Sequence, residues 1–182
     1  MAETPASLLA LWELADELGD RALTDPLYVL DPVGLLLVRP LERWDYDRTP
    51  LNSLTFAQTG EEGVHFGLLE LEDADLASAP VVMTVPDAGD ESNIVIAGDF
   101  DEFLAIGAIS GWFVLGRLAE EPDDALERLA TPDPDPWAES EQLLAQIREA
   151  LSIEPAPLTH KRLEELRLKY GTAVIVEDDG AG

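Results

Sequence analysis

The sequence predicts an α+β fold: one twisted, mainly antiparallel sheet flanked by helices, with an additional helical pair toward the C-terminus. Three observations carry that prediction. Between Thr49 and Gly116 short apolar runs alternate with turn residues. Capped helix starts stand on either side of those runs, at Thr4-Pro5 and at Asp99. Beyond an acidic, proline-rich tract at 120–136 the apolar spacing returns to a helical period.

The first helix is announced by Thr4 as N-cap and Pro5 at the first helical position. Leu8, Leu11, Ala15 and Leu18 then recur at helical spacing, Trp12 widens the stripe and Gly19 reads as a stop. Asp25-Pro26 and Asp31-Pro32 punctuate two apolar runs, 27–30 and 33–38, of which the second reads as a buried strand between Pro32 and Pro40. From Ser53 the period shortens. A strand at 54–57, the turn Thr59-Gly60-Glu61-Glu62-Gly63 and a strand at 64–70 predict a hairpin. Its second strand places Val64, Phe66 and Leu68 on one face and His65, Gly67 and Leu69 on the other, so both faces need cover.

Pro80 and Pro86 bracket a third strand of this series, 81–85, and a fourth at 93–97 follows the acidic turn 87–92. Asp99 then caps a helix with Glu102 at its third position, a variant capping box, and with Phe100, Phe103 and Leu104 on its apolar face. That helix breaks near 107–111 and resumes over 112–115. The tract 120–136 reads as a stiff extended connector. Asp135 and Pro136 are placed to start a helix bearing Leu143, Ile147 and Leu151, and Thr159 to start another bearing Leu163, Leu166 and Tyr170, stopped by Gly171. An edge strand at 173–176 and a disordered tail over 177–182 complete the expectation. The organisation predicted is one α+β domain over 1–130 with its core at 49–116, followed over 131–182 by the linker, the two helices and the tail.

Charge dominates the functional reading. The chain has 182 residues and a formal charge of −27, with 46% hydrophobic residues, enough to fill one core and to argue against global disorder. The segment from Thr49 to Gly116 holds twelve Asp and Glu and no Lys or Arg, so no ion pair can form inside it. A field of that sign repels phosphate backbones and predicts a cationic protein partner rather than nucleic acid. A general solubility or salt adaptation produces the same composition, since only two of the eleven basic residues are lysine. The final helix carries Lys161, Arg162, Arg167 and Lys169 and is the one locally cationic element, suited to fold back on the acidic core. No apolar run approaches the ~20 residues of a bilayer span, and Glu3 stands where a secretory signal would be basic, so a cytoplasmic protein is expected.

Catalytic and metal-binding signals are weak. With no cysteine and two histidines, neither thiolate nor imidazole zinc sites are expected, and the sequence lacks His-Glu-x-x-His, Gly-x-Ser-x-Gly and a Gly-Lys-Ser/Thr phosphate loop. His65 lies mid-strand in apolar surroundings and reads as a packed, hydrogen-bonded structural histidine. Asp87, Asp90 and Glu91 lack the alternation and central glycine of a calcium loop and read as a solvated turn, as do Glu61 and Glu62. No cofactor is expected. Trp44 and Tyr46 lie in the polar segment 42–48 beside Arg43 and Arg48, where they either form a recognition loop or pack over the core.

The order Thr49-Pro50-Leu51-Asn52-Ser53-Leu54-Thr55-Phe56, Thr59-Gly60-x-x-Gly63-Val64-His65-Phe66, Pro80-Val81-Val82-Met83, Asn93-Ile94-Val95-Ile96-Ala97 and Asp99-Phe100-x-Glu102-Phe103-Leu104 resembles the SUKH superfamily. These are the Smi/Knr-like domains of bacterial toxin-immunity proteins and fungal cell-wall regulators. The resemblance spans 49–116; the 35–44 region and the C-terminal helices lie outside it. It implies an α+β domain that acts by binding, and its immunity branch neutralises toxin domains, often nucleases with cationic active sites.

The function expected is therefore a non-enzymatic, acidic protein-binding domain whose contact residues are Glu61, Glu62, Asp87, Asp90 and Glu91 with Trp44 and Tyr46. Two alternatives stand beside it. One is a structural or regulatory interaction subunit, and the other is an enzyme with carboxylate or metal-assisted chemistry.

Overall fold

The computed structural model describes residues 3–177. Five strands, β1 (Leu36–Glu42), β2 (Ser53–Gln58), β3 (His65–Leu69), β4 (Val81–Thr84) and β5 (Asn93–Ala97), form one sheet in the order β1-β2-β3-β4-β5, every pair antiparallel. Helices α1 (Ala6–Ala22), α2 (Phe100–Gly107), α3 (Pro122–Ala130), α4 (Ala138–Ala150) and α5 (His160–Tyr170) pack around it, giving the α+β architecture with a C-terminal helical pair. Among the described residues no helix is long and apolar enough to cross a membrane.

One face of the sheet carries the aromatic core. Phe56 on β2 lies edge-on to Phe100 and Phe103 of α2, with ring centroids 5.1 Å away in each case, and Phe66 on β3 reaches Phe103 at the same distance. All four rings are fully buried, and each such side chain contributes roughly 1.5–3 kcal/mol. Trp112 joins them and donates its indole N–H to the Phe103 carbonyl at 3.1 Å, which satisfies the one polar atom it brings inside. Gly107 is obligatory here by space rather than by conformation, because a Cβ would lie 2.0 Å from the Trp112 ring. Leu8, Leu11, Ala15 and Leu18 of α1 belong to the same buried cluster, and so do Leu143, Leu144 and Ile147 of α4.

The second face is covered too, as the alternation in β3 requires: all five residues of β3 are buried. Trp44 and Thr49, from the loop joining β1 to β2, lie over His65. Helix α5 packs along β5 through the buried Leu166. Arg162 closes a two-pronged ion pair on Glu102 of α2, with N···O distances of 2.6 and 2.8 Å. The basic helix thus folds back on the acidic core through one arginine. Its other cations turn elsewhere: Lys161 to Glu165, Arg167 to Glu164, and Lys169 over the Tyr170 ring.

Several boundaries differ from the sequence expectation, each for a physical reason. Helix α1 starts one residue later, with Pro5 at the cap position and no side-chain cap, and it runs past Gly19 to Ala22. Gly19 is a crossing point for the returning chain, since a Cβ there would lie 2.8 Å from the Thr24 carbonyl. The expected strand at 33–38 begins only at Leu36, because Asp31–Val33 is a 3-10 turn ended by Gly34 at φ +87°. It then continues through Pro40, which an edge strand with a register shift between Leu37 and Glu42 accommodates.

The expected connector 120–136 contains α3. Pro122 opens it, Asp123 and Asp124 complement its N-terminus and Arg128 its C-terminus, while Ala125, Leu126 and Leu129 are buried. Helix α4 starts at Ala138 with Trp137, not Asp135, at the cap. Residues 173–176 form no strand; they are tied to Asn52 and by one backbone bond from Leu51 to the Ile175 carbonyl. The tail expected beyond 177 lies outside the described residues.

Candidate interaction surface

An antiparallel meander sends alternate turns to the same end of its sheet, so the β2–β3 and β4–β5 turns emerge together. Glu61 and Glu62 stand on the first, Asp87, Asp90 and Glu91 on the second, and all five are exposed. The first turn is tightly specified. Thr59 N–H donates to the Val64 carbonyl and Val64 N–H to the Glu61 carbonyl, both at 3.0 Å. Glu62 adopts φ +50° and Gly63 φ +72°, the left-handed region that glycine enters without cost and glutamate does not. The second turn is held by the Ser92 hydroxyl, which donates to the Gly89 carbonyl at 2.7 Å.

Tyr46 joins the two turns. Its ring edge and hydroxyl sit against Gly63, beside Pro86; a Cβ at Gly63 would be 3.0 Å from the ring, 3.1 Å from the hydroxyl and 3.3 Å from Pro86. The tyrosine keeps 53% of its surface exposed, while Trp44 is half-buried. Trp44 thus packs over the core, whereas Tyr46 contacts Gly63 and His65 and leaves about half of its surface exposed.

His65 supports the arrangement from beneath. It is buried, with Trp44 5.1 Å away by ring centroid and Tyr46 edge-on at 6.1 Å. Its Nδ1 is 2.7 Å from the Gly63 carbonyl, which only accepts, so Nδ1 carries the proton and Nε2 accepts from the Thr49 hydroxyl at 3.0 Å. Burial pushes the imidazole below its ordinary pKa, and the Gly63 hydrogen bond only partly offsets that. Next to it, the Thr84 hydroxyl donates to Asn93, whose amide donates to the Arg48 carbonyl at 2.9 Å. The neutral histidine and this asparagine therefore fix the Trp44–Tyr46 loop to the sheet.

Among the described residues none of Glu61, Glu62, Asp87, Asp90 and Glu91 closes an ion pair. Arg167 is attracted to Glu91 only at longer range, its guanidinium being bound at both ends to Glu164. No group of three or more His, Asp or Glu among the described residues is arranged to hold a metal ion.

The sequence reading missed a groove of about 990 Å3 that borders this surface at Glu61. Ile109, Phe113 and Leu144 lie along it, Asp31, Asp133, Glu139 and Glu141 add carboxylates, and Trp137 stands 79% exposed at its margin. Helix α4 is pinned across it. The Ser140 hydroxyl donates to the Pro32 carbonyl at 2.7 Å and the Arg148 guanidinium to the Ala108 carbonyl at 2.6 Å. A tryptophan directly after a run of alternating proline and aspartate was the signal available in the sequence. No family model matches the chain, and neither does any curated protein or solved structure.

Proposed function

We propose that this chain is a non-enzymatic binding protein of the immunity type, which engages a basic protein such as a toxin domain through the acidic end of its sheet. One observation carries the reading: five exposed carboxylates that close no ion pair among the described residues share that end with the exposed ring of Tyr46, in a chain of charge −27. Carboxylates without an internal cation keep their field for an incoming partner. Such a field raises association rates and rejects like-charged partners more than it adds affinity. Affinity then falls to an aromatic anchor, the role Tyr46 takes. The likeness of 49–116 to SUKH domains points the same way.

Affinity capture from a lysate of the source cell at low salt, eluted in salt steps, tests the proposal. A basic protein released at moderate salt, and lost when Glu61, Glu62, Asp87 and Asp90 are all changed to Lys, is the expected outcome. Unchanged capture by that variant removes the acidic end as the binding site. Capture that resists salt favours the interaction-subunit reading through Tyr46.

A further inference from the structure

The groove beside α4 differs from the acidic end in having a floor. Ile109, Phe113 and Leu144 line it between carboxylates at Asp31, Glu61, Asp133, Glu139 and Glu141. The cation there, Arg148, is turned onto the Ala108 carbonyl. The Ser110 hydroxyl oxygen, sunk below the surface, has no hydrogen-bond partner. Trp137 presents an exposed indole, and ring faces of this kind attract Lys and Arg side chains within about 6 Å. The two hydrogen bonds that pin α4 make the groove ready before anything enters it, which lowers the cost of binding.

We propose that this groove takes an extended segment of a protein partner in which arginine or lysine alternates with apolar residues. The cations meet the rim acids and Trp137, and the apolar side chains cover Ile109, Phe113 and Leu144. A volume of about 990 Å3 stands at the upper limit of small-molecule sites, about 300–1,000 Å3, and suits several residues of chain. A polyamine would satisfy the rim and leave the apolar floor in water, and a nucleic acid would meet the carboxylates as an anion. The inference rests on the reading that the partner is basic, and adds which part of the partner is gripped and where.

The test is calorimetric titration of the full chain with an alternating arginine–leucine octapeptide, read in parallel by tryptophan emission. Trp12 and Trp112 are buried and Trp44 half-buried, so a blue shift on binding reports Trp137 and is lost in Trp137→Phe. Neutralising the rim with Asp133→Asn, Glu139→Gln and Glu141→Gln should weaken binding about tenfold, while Glu62→Lys with Asp87→Lys should change it less than about threefold. No saturable binding, equal weakening by both sets, or an equal blue shift with spermidine at the same concentration would each overturn the groove. Partner capture that still depends on the acidic end would leave the function proposed above standing, so the two failures are distinguishable.

Discussion

Replacing Arg162 with glutamine removes the cation that holds α5 to α2. In the native fold the guanidinium reaches both oxygens of Glu102 at 2.6 and 2.8 Å, and Glu102 also accepts the Gly98 N–H at 2.5 Å. The side chains are 39% and 27% exposed, which places the pair between a surface pair, about 0.2–1 kcal/mol, and the loss of one buried partner, about 3–5 kcal/mol. Solvent access brings the expected loss to about 1–2 kcal/mol at pH 7. For a chain of this size each kcal/mol shifts the melting midpoint by about 2–4 °C, so a fall of roughly 2–8 °C is predicted.

The pH dependence supplies the sharper check. Burial alone would raise the Glu102 carboxyl, but the Arg162 guanidinium and the Gly98 N–H outweigh it and hold the carboxyl below its ordinary value of 4.5. A carboxyl depressed in the folded state stabilises above its unfolded pKa and loses that stabilisation as pH falls through the folded one. Melts of wild type and Arg162→Gln should therefore differ at pH 7 and converge as the pH falls below 4.5 and through the lowered value. Equal midpoints at pH 7, or a difference that survives undiminished in acid, would refute the clamp.

Two further outcomes follow from the core and the covered face. Gly107→Ala should destabilise by about 2 kcal/mol or more in urea titration, since the overlap with Trp112 exceeds the gain in helix propensity of up to about 1 kcal/mol; a higher urea midpoint would contradict the close approach. His65 is lowered in the folded state, so the unfolded chain takes up its proton first. Below about pH 6.5 its contribution should fall by at most about 1.4 kcal/mol per pH unit, until the folded histidine protonates as well. The stability difference between wild type and His65→Gln, measured at pH 7.5 and 5.5, should narrow in acid, and a difference that does not change with pH would refute the neutral, buried imidazole.

Local signals were legible where a residue's role depends on its immediate neighbours. Asp99 does accept the Glu102 N–H, Thr159 accepts that of Arg162, and the Gly60 to Gly63 turn has the positive φ values its glycines announce. The sequence places Glu102 to close a capping box, but its carboxylate bonds Gly98 and Arg162 instead, because a cation sixty residues away competes for it. Helix α3 was hidden by composition: its acids and Pro122 favour a helix start as much as an extended linker, and the deciding burial of Leu126 and Leu129 is tertiary. The candidate residues were legible singly as exposed turn acids. Their meeting around Tyr46 depends on the order of the meander, and the groove depends on α4 crossing the 108–113 segment, neither of which hydrophobic period records.

The most direct test of the central claim is the association rate between this chain and the basic protein it captures, measured across salt concentrations for wild type and for the Glu61, Glu62, Asp87 and Asp90 to Lys variant. Binding through the acidic end predicts a rate for wild type that falls steeply as salt shortens the Debye length below about 10 Å, and a variant that is slower by about tenfold or more at low salt with a shallower salt dependence. Equal rates and equal salt slopes for the two proteins would contradict it.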